Sequence, residues 1–488
     1  MKNLKDILYK VAINSVLGDT NLKIKNIVFD SRKVAKNDVF VAQKGVHADG
    51  HNFIDKAIEL GALAIVCEDI PTKTKEGVTY IKVANASSAL AFMAANLFDN
   101  PSEKFPLVGV TGTNGKTTVA SLLYQLFTKA GYKVGLLSTV KILVGDKEFP
   151  TLHTTPDSIT INKYLDFMLE EGVEYCFMEV SSHGIHQKRS EGLTFAGGIF
   201  TNLSHDHLDY HKTFTAYRDV KKEFFDGLPK SAFAITNLDD KNGAFMLQNT
   251  KAKKYSYALK TVADYKTKIL EKQLSGTLIN IDGTEVWTKL IGTFNIYNLT
   301  AIIATAELLG LERLEILTIV SQLESVSGRF EYVVSDDNIT GIVDYAHTPD
   351  ALKNVLETIN DIRTGNESLI AVVGCGGDRD KTKRPKMAHI ASQLSTQAIF
   401  TSDNPRTEDP QTIINEMEAG VSPENYRKTL AVLNRRQAIK TACKFAKNGD
   451  IILVAGKGHE TYQEVNGVRS HFDDLEEITN CFNQLKKK

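Results

Sequence analysis

Phe105-Pro106-Leu107-Val108-Gly109-Val110-Thr111-Gly112-Thr113-Asn114-Gly115-Lys116-Thr117-Thr118-Val119 decides how this chain is built. An apolar run enters a glycine-rich turn, and the turn opens a helical pattern with apolar residues at Val119, Leu122, Leu123, Leu126 and Phe127. Strand, turn and helix in that order make a phosphate cradle. Backbone N–H groups and the helix N-terminus face the anion, Lys116 neutralises it, and Thr117 offers a hydroxyl to Mg2+. Gly112, Thr113, Asn114, Gly115, Lys116, Thr117 and Thr118 are therefore expected to hold a nucleoside triphosphate. The loop departs from the usual pattern, because Val110 stands where its first glycine would be and Gly112 falls inside it. A chance Gly-Lys-Thr on a surface turn is the competing account, and the flanking strand and helix weigh against it.

Outward from this loop, 488 residues are too many for one core. Apolar strands such as Lys133-Val134-Gly135-Leu136-Leu137, Tyr175-Cys176-Phe177-Met178-Glu179-Val180 and Ala232-Phe233-Ala234-Ile235-Thr236 alternate with amphipathic helices, which indicates a largely parallel sheet covered on both faces. The rhythm restarts after Ser327-Gly328-Arg329 with strands at 341–345, 369–374 and 450–456. Before the loop, short strands at 27–29 and 39–42 precede a helix near 54–60, and the polar stretch 99–104 reads as a linker. The expected fold is α/β in three domains: 1–103, a central nucleotide-binding domain at 104–328, and a Rossmann-like domain at 329–488.

The 58 basic and 59 acidic side chains nearly cancel, so charge gives no support for nucleic-acid or membrane binding. No apolar run reaches transmembrane length, and the N-terminus lacks a signal-peptide core. Cys67, Cys176, Cys375, Cys443 and Cys481 are scattered and not in metal-ligand spacing, as expected of reduced thiols in a cytoplasmic enzyme. Glu179 ends a strand beside the phosphate loop, where a carboxylate suits Mg2+. His205, Asp206, His207, Asp209 and His211 crowd one turn; a zinc site is the alternative there, weakened by the lack of a thiolate.

The phosphate loop, Glu179-Val180-Ser181-Ser182-His183, Asn202-Leu203-Ser204-His205-Asp206-His207-Leu208-Asp209 and Gly292-Thr293-Phe294-Asn295-Ile296-Tyr297-Asn298 together resemble the Mur ligase family. Ser327-Gly328-Arg329, Asp344-Tyr345-Ala346-His347-Thr348-Pro349 and Gly456-Lys457-Gly458-His459-Glu460 extend the resemblance through the last domain. It implies an ATP- and Mg2+-dependent amide ligase of peptidoglycan precursor synthesis, working through an acyl phosphate. The substrates implied are the small molecules UDP-N-acetylmuramoyl-L-alanyl-D-glutamate and a diamino acid, handled by a monomer.

The resemblance also assigns residues. Lys116 would stabilise the transferring phosphoryl group, with Thr117, Glu179, His207 and Lys221 on the metal side and Lys221 carrying a carbamate. Asn295 and the turn Asn237-Leu238-Asp239-Asp240 would touch the nucleotide. Ser31, Val46, His47 and Ala48 in the first domain would bind the UDP moiety, and His153, Thr154, Thr155, Ser181, Gln187 and Arg189 the dipeptide. For the acceptor, Asp403-Asn404-Pro405-Arg406 resembles members that add meso-diaminopimelate, whose distal carboxylate a guanidinium can grip from two nitrogens. Arg379, Asp403, Gly456 and Glu460 would complete that site. The alternatives are a lysine-adding ligase of the same family and a folylpolyglutamate synthase-like ligase.

Overall fold

The computed structural model describes residues 1–45, 48–151 and 153–485. Val46 and His47 lie outside the described residues. Three main sheets succeed one another along the chain, of five, eleven and six strands. Sheets of this kind, with helices on their faces, make the chain α/β, as the sequence indicates.

In the first unit, parallel strands at Ile27–Val28, Val39–Val41, Ala64–Cys67 and Thr79–Val83 adjoin one antiparallel edge strand, Ile13–Leu17. Helix Ala86–Leu97 covers it, started by Asn85, whose side chain accepts the Ser88 N–H at 2.8 Å. The polar stretch expected to be a linker is packed. Pro101–Glu103 forms a 3-10 turn, and the buried Ser102 Oγ accepts the Thr194 N–H at 3.0 Å.

The central sheet runs parallel through strands Val134–Leu137, Tyr175–Glu179, Leu107–Thr111, Gly197–Phe200, Phe233–Asn237, Lys253–Ala258 and Tyr265–Gln273. Most of these strands are buried on both faces, which is why they read as continuous apolar runs. Antiparallel strands at both edges break the parallel pattern: Ile142–Val144 with Lys147–Phe149, and Gly276–Ile281 with Thr284–Thr288. The register matters most for function. Val110 pairs with Glu179 and Thr111 with Phe200, so the loops that begin at Gly112, Val180 and Thr201 leave the sheet side by side.

The last sheet repeats the arrangement, with Asp344 opposite Ala455, Val373 opposite Ala455, and Cys375 opposite Ser402. Tyr345, Gly376, Asp403 and Gly456 therefore share one edge. Ligands of open parallel sheets bind at this carboxyl end.

Candidate active site

The phosphate loop joins strand Leu107–Thr111 to helix Lys116–Lys129, whose Val119, Leu122, Leu123, Leu126 and Phe127 are fully buried. Gly115 precedes the helix at φ 86°, a left-handed conformation that costs glycine nothing. Gly112 is pressed against its neighbour, since a methyl there would overlap Thr201 Oγ1. Lys116 Nζ donates to the carbonyls of Gly112 at 2.9 Å and Thr113 at 2.7 Å. Lys221 Nζ reaches the same Gly112 carbonyl at 2.8 Å. Two lysines thus meet at one oxygen.

Lys221 gets there from helix Phe214–Asp226, whose inward apolar residues, Tyr217, Val220, Phe224 and Phe225, are core. Burial, and then the neighbouring Lys116 charge, push the Lys221 pKa well below the usual lysine range. Burial also lowers Lys116, although Glu179 and Asp206 oppose it. Glu179 is fully buried, and its carboxylate accepts the Thr139 N–H at 2.7 Å and the Thr139 hydroxyl at 3.2 Å. His207 stands at φ 54° with Nε2 3.4 Å from Asp206, and burial lowers its pKa. The ring of His183 meets those of His207 and His211 edge to face, with centroids 4.9 and 5.6 Å apart. Among the described residues, no three His, Cys, Asp or Glu converge as a metal cage, so the zinc alternative has no cluster to occupy.

Beside Glu179 the expected dipeptide residues come together. Thr155 Oγ1 donates to the Glu179 carbonyl at 2.9 Å and accepts the Ser181 N–H at 2.9 Å. Arg189 donates to the Thr155 carbonyl at 2.6 Å and to Gln187 Oε1 at 2.7 Å. Thr154 Oγ1 accepts from Thr139 Oγ1 at 3.0 Å, and the Arg189 charge reaches His153. Ser31 and Ala48 belong to the first unit, Ser31 buried in a 3-10 turn and Ala48 exposed with its carbonyl accepting the Gly45 N–H at 2.9 Å.

A cleft of about 510 Å3 opens between the phosphate loop and the last unit. Asn114, Gly115, Thr118, Asn237, Asp239 and Asp240 line it from the central unit. Asn295 does not line it; that side chain is buried and donates to the Ile291 carbonyl at 2.8 Å. One turn on, Asn298 faces the cleft instead, and a methyl on Gly115 would lie 2.5 Å from its Oδ1. From the last unit come Arg329, Tyr345, His347 and Asp350. Arg329 donates to Thr117 Oγ1 at 3.2 Å, and Asn114 Nδ2 to Asp350 at 3.2 Å, so the two units are clasped across the loop. Burial raises the Asp344 pKa to about 6, with Arg329 opposing, and lowers His347 to about 4.

Arg329 and His347 fall within motifs of the last domain, but the sequence assigns them no role. Their proximity to the phosphate loop has no local signal.

The expected acceptor residues share the far edge of the last sheet. Arg406 Nη1 donates to the Gly377 carbonyl at 2.6 Å. A methyl on Gly376 would lie 3.0 Å from that nitrogen and 3.9 Å from Arg379 Cγ, so the Arg406 guanidinium and the Arg379 stem flank one glycine. A methyl on Gly456 would sit 2.6 Å from Asp403 Oδ2. Asn404 Nδ2 donates to Glu460 at 2.7 Å, and Pro405 is buried beneath them. Lys457, unassigned by the sequence, is fully buried and reaches Asn404 Oδ1 at 3.1 Å and Glu460 at 3.3 Å. Burial and then Asp403 raise Glu460, whereas Lys457 and Arg435 outweigh burial at Asp403 and hold it low.

The chain is similar to known proteins over nearly its whole length. Residues 110–306 match the Mur ligase middle domain, 328–458 the Mur ligase glutamate ligase domain, and 23–97 the Mur ligase family catalytic domain. The chain is 53% identical over 485 residues to a Cytophaga hutchinsonii protein named UDP-N-acetylmuramoyl-L-alanyl-D-glutamate–2,6-diaminopimelate ligase, covering 99% of this chain and 100% of that one. A Parabacteroides distasonis protein of the same name is 53% identical over 479 residues, with 98% and 99% covered. A solved structure of a ligase of that name superposes with a TM-score of 0.70 at 32% identity, over 99% of both chains. At this identity and coverage, the chain belongs to the Mur ligase family.

Proposed function

We propose that this protein joins meso-diaminopimelate to the D-glutamate carboxyl of UDP-N-acetylmuramoyl-L-alanyl-D-glutamate, using ATP and an acyl phosphate. The observation that carries the reading is the gathering of Arg406, Asp403 and Glu460 at one sheet edge, with Arg379 in the adjoining loop. Cations and carboxylates so placed suit an acceptor with carboxylates and ammonium groups at both ends. The relatives' shared name is consistent with it.

In this reading ATP occupies the cleft at the phosphate loop. Lys116 leaves the Gly112 carbonyl to meet the transferring phosphoryl group, in a site dry enough for its charge to count. Arg329 approaches the same group from the last unit. Thr155, Ser181, Gln187 and Arg189 orient the dipeptide carboxylate, and Ser31, Val46, His47 and Ala48 bind the UDP end. The proposed borders are 1–103, 104–328 and 329–488.

Mg2+ fits the donors present. Thr117 and Glu179 supply hard oxygens and His207 a nitrogen, too few for a closed cage but suited to an ion completed by phosphates. Bound there, it would neutralise phosphate charge during transfer. Lys221 is proposed to carry a carbamate. Its burial favours the neutral amine, the form whose lone pair attacks CO2 with loss of one N–H proton. The cytoplasm, where soluble nucleotide-linked precursors reside, is the proposed location.

The test is phosphate release by purified protein. It is expected only when ATP, the UDP-dipeptide and meso-diaminopimelate are all present. Equal release with L-lysine at the same concentration would reject the acceptor, and release without any amine would reject the ligase.

A further inference from the structure

Behind the acceptor edge lies a buried ion pair that none of the roles above uses. Arg435 opens helix Arg435–Phe445 and Asp474 opens helix Asp474–Leu485; both side chains are fully buried. Arg435 Nε donates to Asp474 Oδ1 at 2.7 Å and Nη2 to Oδ2 at 2.6 Å, a two-pronged pair. Nη2 also reaches the carbonyl of Ala455, the residue before Gly456, at 3.1 Å. Nη1 is buried and has no partner among the described residues.

That free nitrogen is directed at the acceptor site. A methyl on Gly374 would lie 3.0 Å from Arg435 Nη1 and 3.1 Å from Asp403 Cβ. The same methyl would meet the Thr401 carbonyl at 2.9 Å, so the glycine sits where the guanidinium and Asp403 approach from two sides of the strand. The charges around it are matched: Arg435 and Lys457 are buried beside Asp474 and Asp403, with Arg406 and Glu460 at the margin. An isolated buried arginine is costly, so the pair with Asp474 lets Arg435 persist there at all.

We propose that Arg435 is a positioning residue for the acceptor. Anchored by Asp474, it holds Asp403 and the Ala455–Gly456 backbone where the incoming ammonium must bind. It acts through those groups, without touching the acceptor. The inference rests on the reading of residues 403–406 as the acceptor site.

The test is the doubly substituted Arg435→Met, Asp474→Leu full-length enzyme, which removes both charges together and refills the space with apolar atoms, a change cores tolerate. Separate KM values are measured for ATP, the UDP-dipeptide and meso-diaminopimelate, with Arg406→Ala as control. The expected result is a rise of about tenfold in the acceptor KM, with the other two constants within about twofold. Arg435→Lys, which keeps the charge, should recover part of it.

Parallel changes in all three constants, or an unchanged acceptor KM while Arg406→Ala raises it, would overturn the inference alone. An Arg406→Ala enzyme with unchanged acceptor KM would overturn the acceptor-site reading and this inference with it. Should the double variant fail to fold, Arg435→Lys, which keeps the charge but loses Nη1, is compared with the parent and judged by the same criterion.

Discussion

Arg406→Ala is the substitution that most directly probes acceptor choice. Arg406 sits at φ 53°, yet its backbone is fixed independently of its side chain, with its N–H on the Glu464 carbonyl at 3.1 Å and its carbonyl accepting from Asn466 at 2.7 Å. Alanine bears the same left-handed strain as arginine, so the loop should keep its course. One guanidinium nitrogen is engaged with the Gly377 carbonyl, which leaves the other donors for a carboxylate. The side chain is half-buried, so a two-pronged pair there is partly shielded from water. Losing such a charge-assisted pair costs about 2–4 kcal/mol. That corresponds to about a 30- to 700-fold fall in kcat/KM for meso-diaminopimelate. L-Lysine ends in an ammonium and has nothing for Arg406 to hold, so its kcat/KM should stay level or rise as a like charge is removed. The assay is a competition between the two amines, with the products separated by mass. An equal fall for both, or an unchanged rate with meso-diaminopimelate, would refute the role given to Arg406.

Lys116→Ala should lower kcat by about 100-fold or more while the melting temperature stays near that of the parent, because the lysine acts on developing charge; activity within a few-fold would remove it from that role. Lys221→Ala should be nearly inactive, and 13C-bicarbonate NMR of the parent should show a carbamate resonance that this variant lacks. Gly112→Ala should abolish nucleotide binding and cost about 1–3 kcal/mol of stability in urea, since the new methyl overlaps Thr201. Burial holds His183, His211 and His347 at about 4 and His459 at about 3. The unfolded chain therefore binds more protons than the folded one below about pH 6.5, and stability should fall as pH drops from there toward about 4. Asp344, raised to about 6, works the other way in part of that window, but it is one proton against four histidines. A urea midpoint that is flat or rises on acidification would contradict this burial.

The sequence alone determined the fold class. Continuous apolar runs can be buried only on both faces of a sheet, so the alternation with helices required parallel α/β layers. The phosphate loop was legible because its function depends on backbone conformation set by neighbouring residues, glycines above all. Periodicity said little about residues 265–288, where a half-exposed antiparallel meander alternates polar and apolar side chains. What only the tertiary structure decided is convergence. Arg329 meets Thr117 across 212 residues, and Asp350 meets Asn114 across 236. Nothing local encodes those contacts, because they follow from how the last sheet docks on the central one. The choice between Asn295 and Asn298 was equally closed to sequence, since both lie on one helix and its docking decides which faces the cleft. Nothing in the sequence marks Lys457 and Arg435 for burial, since such side chains are ordinarily solvated. Arg435 is buried against Asp474 from another helix and Lys457 against Asn404 from beyond another strand, and only the folded chain supplies those partners.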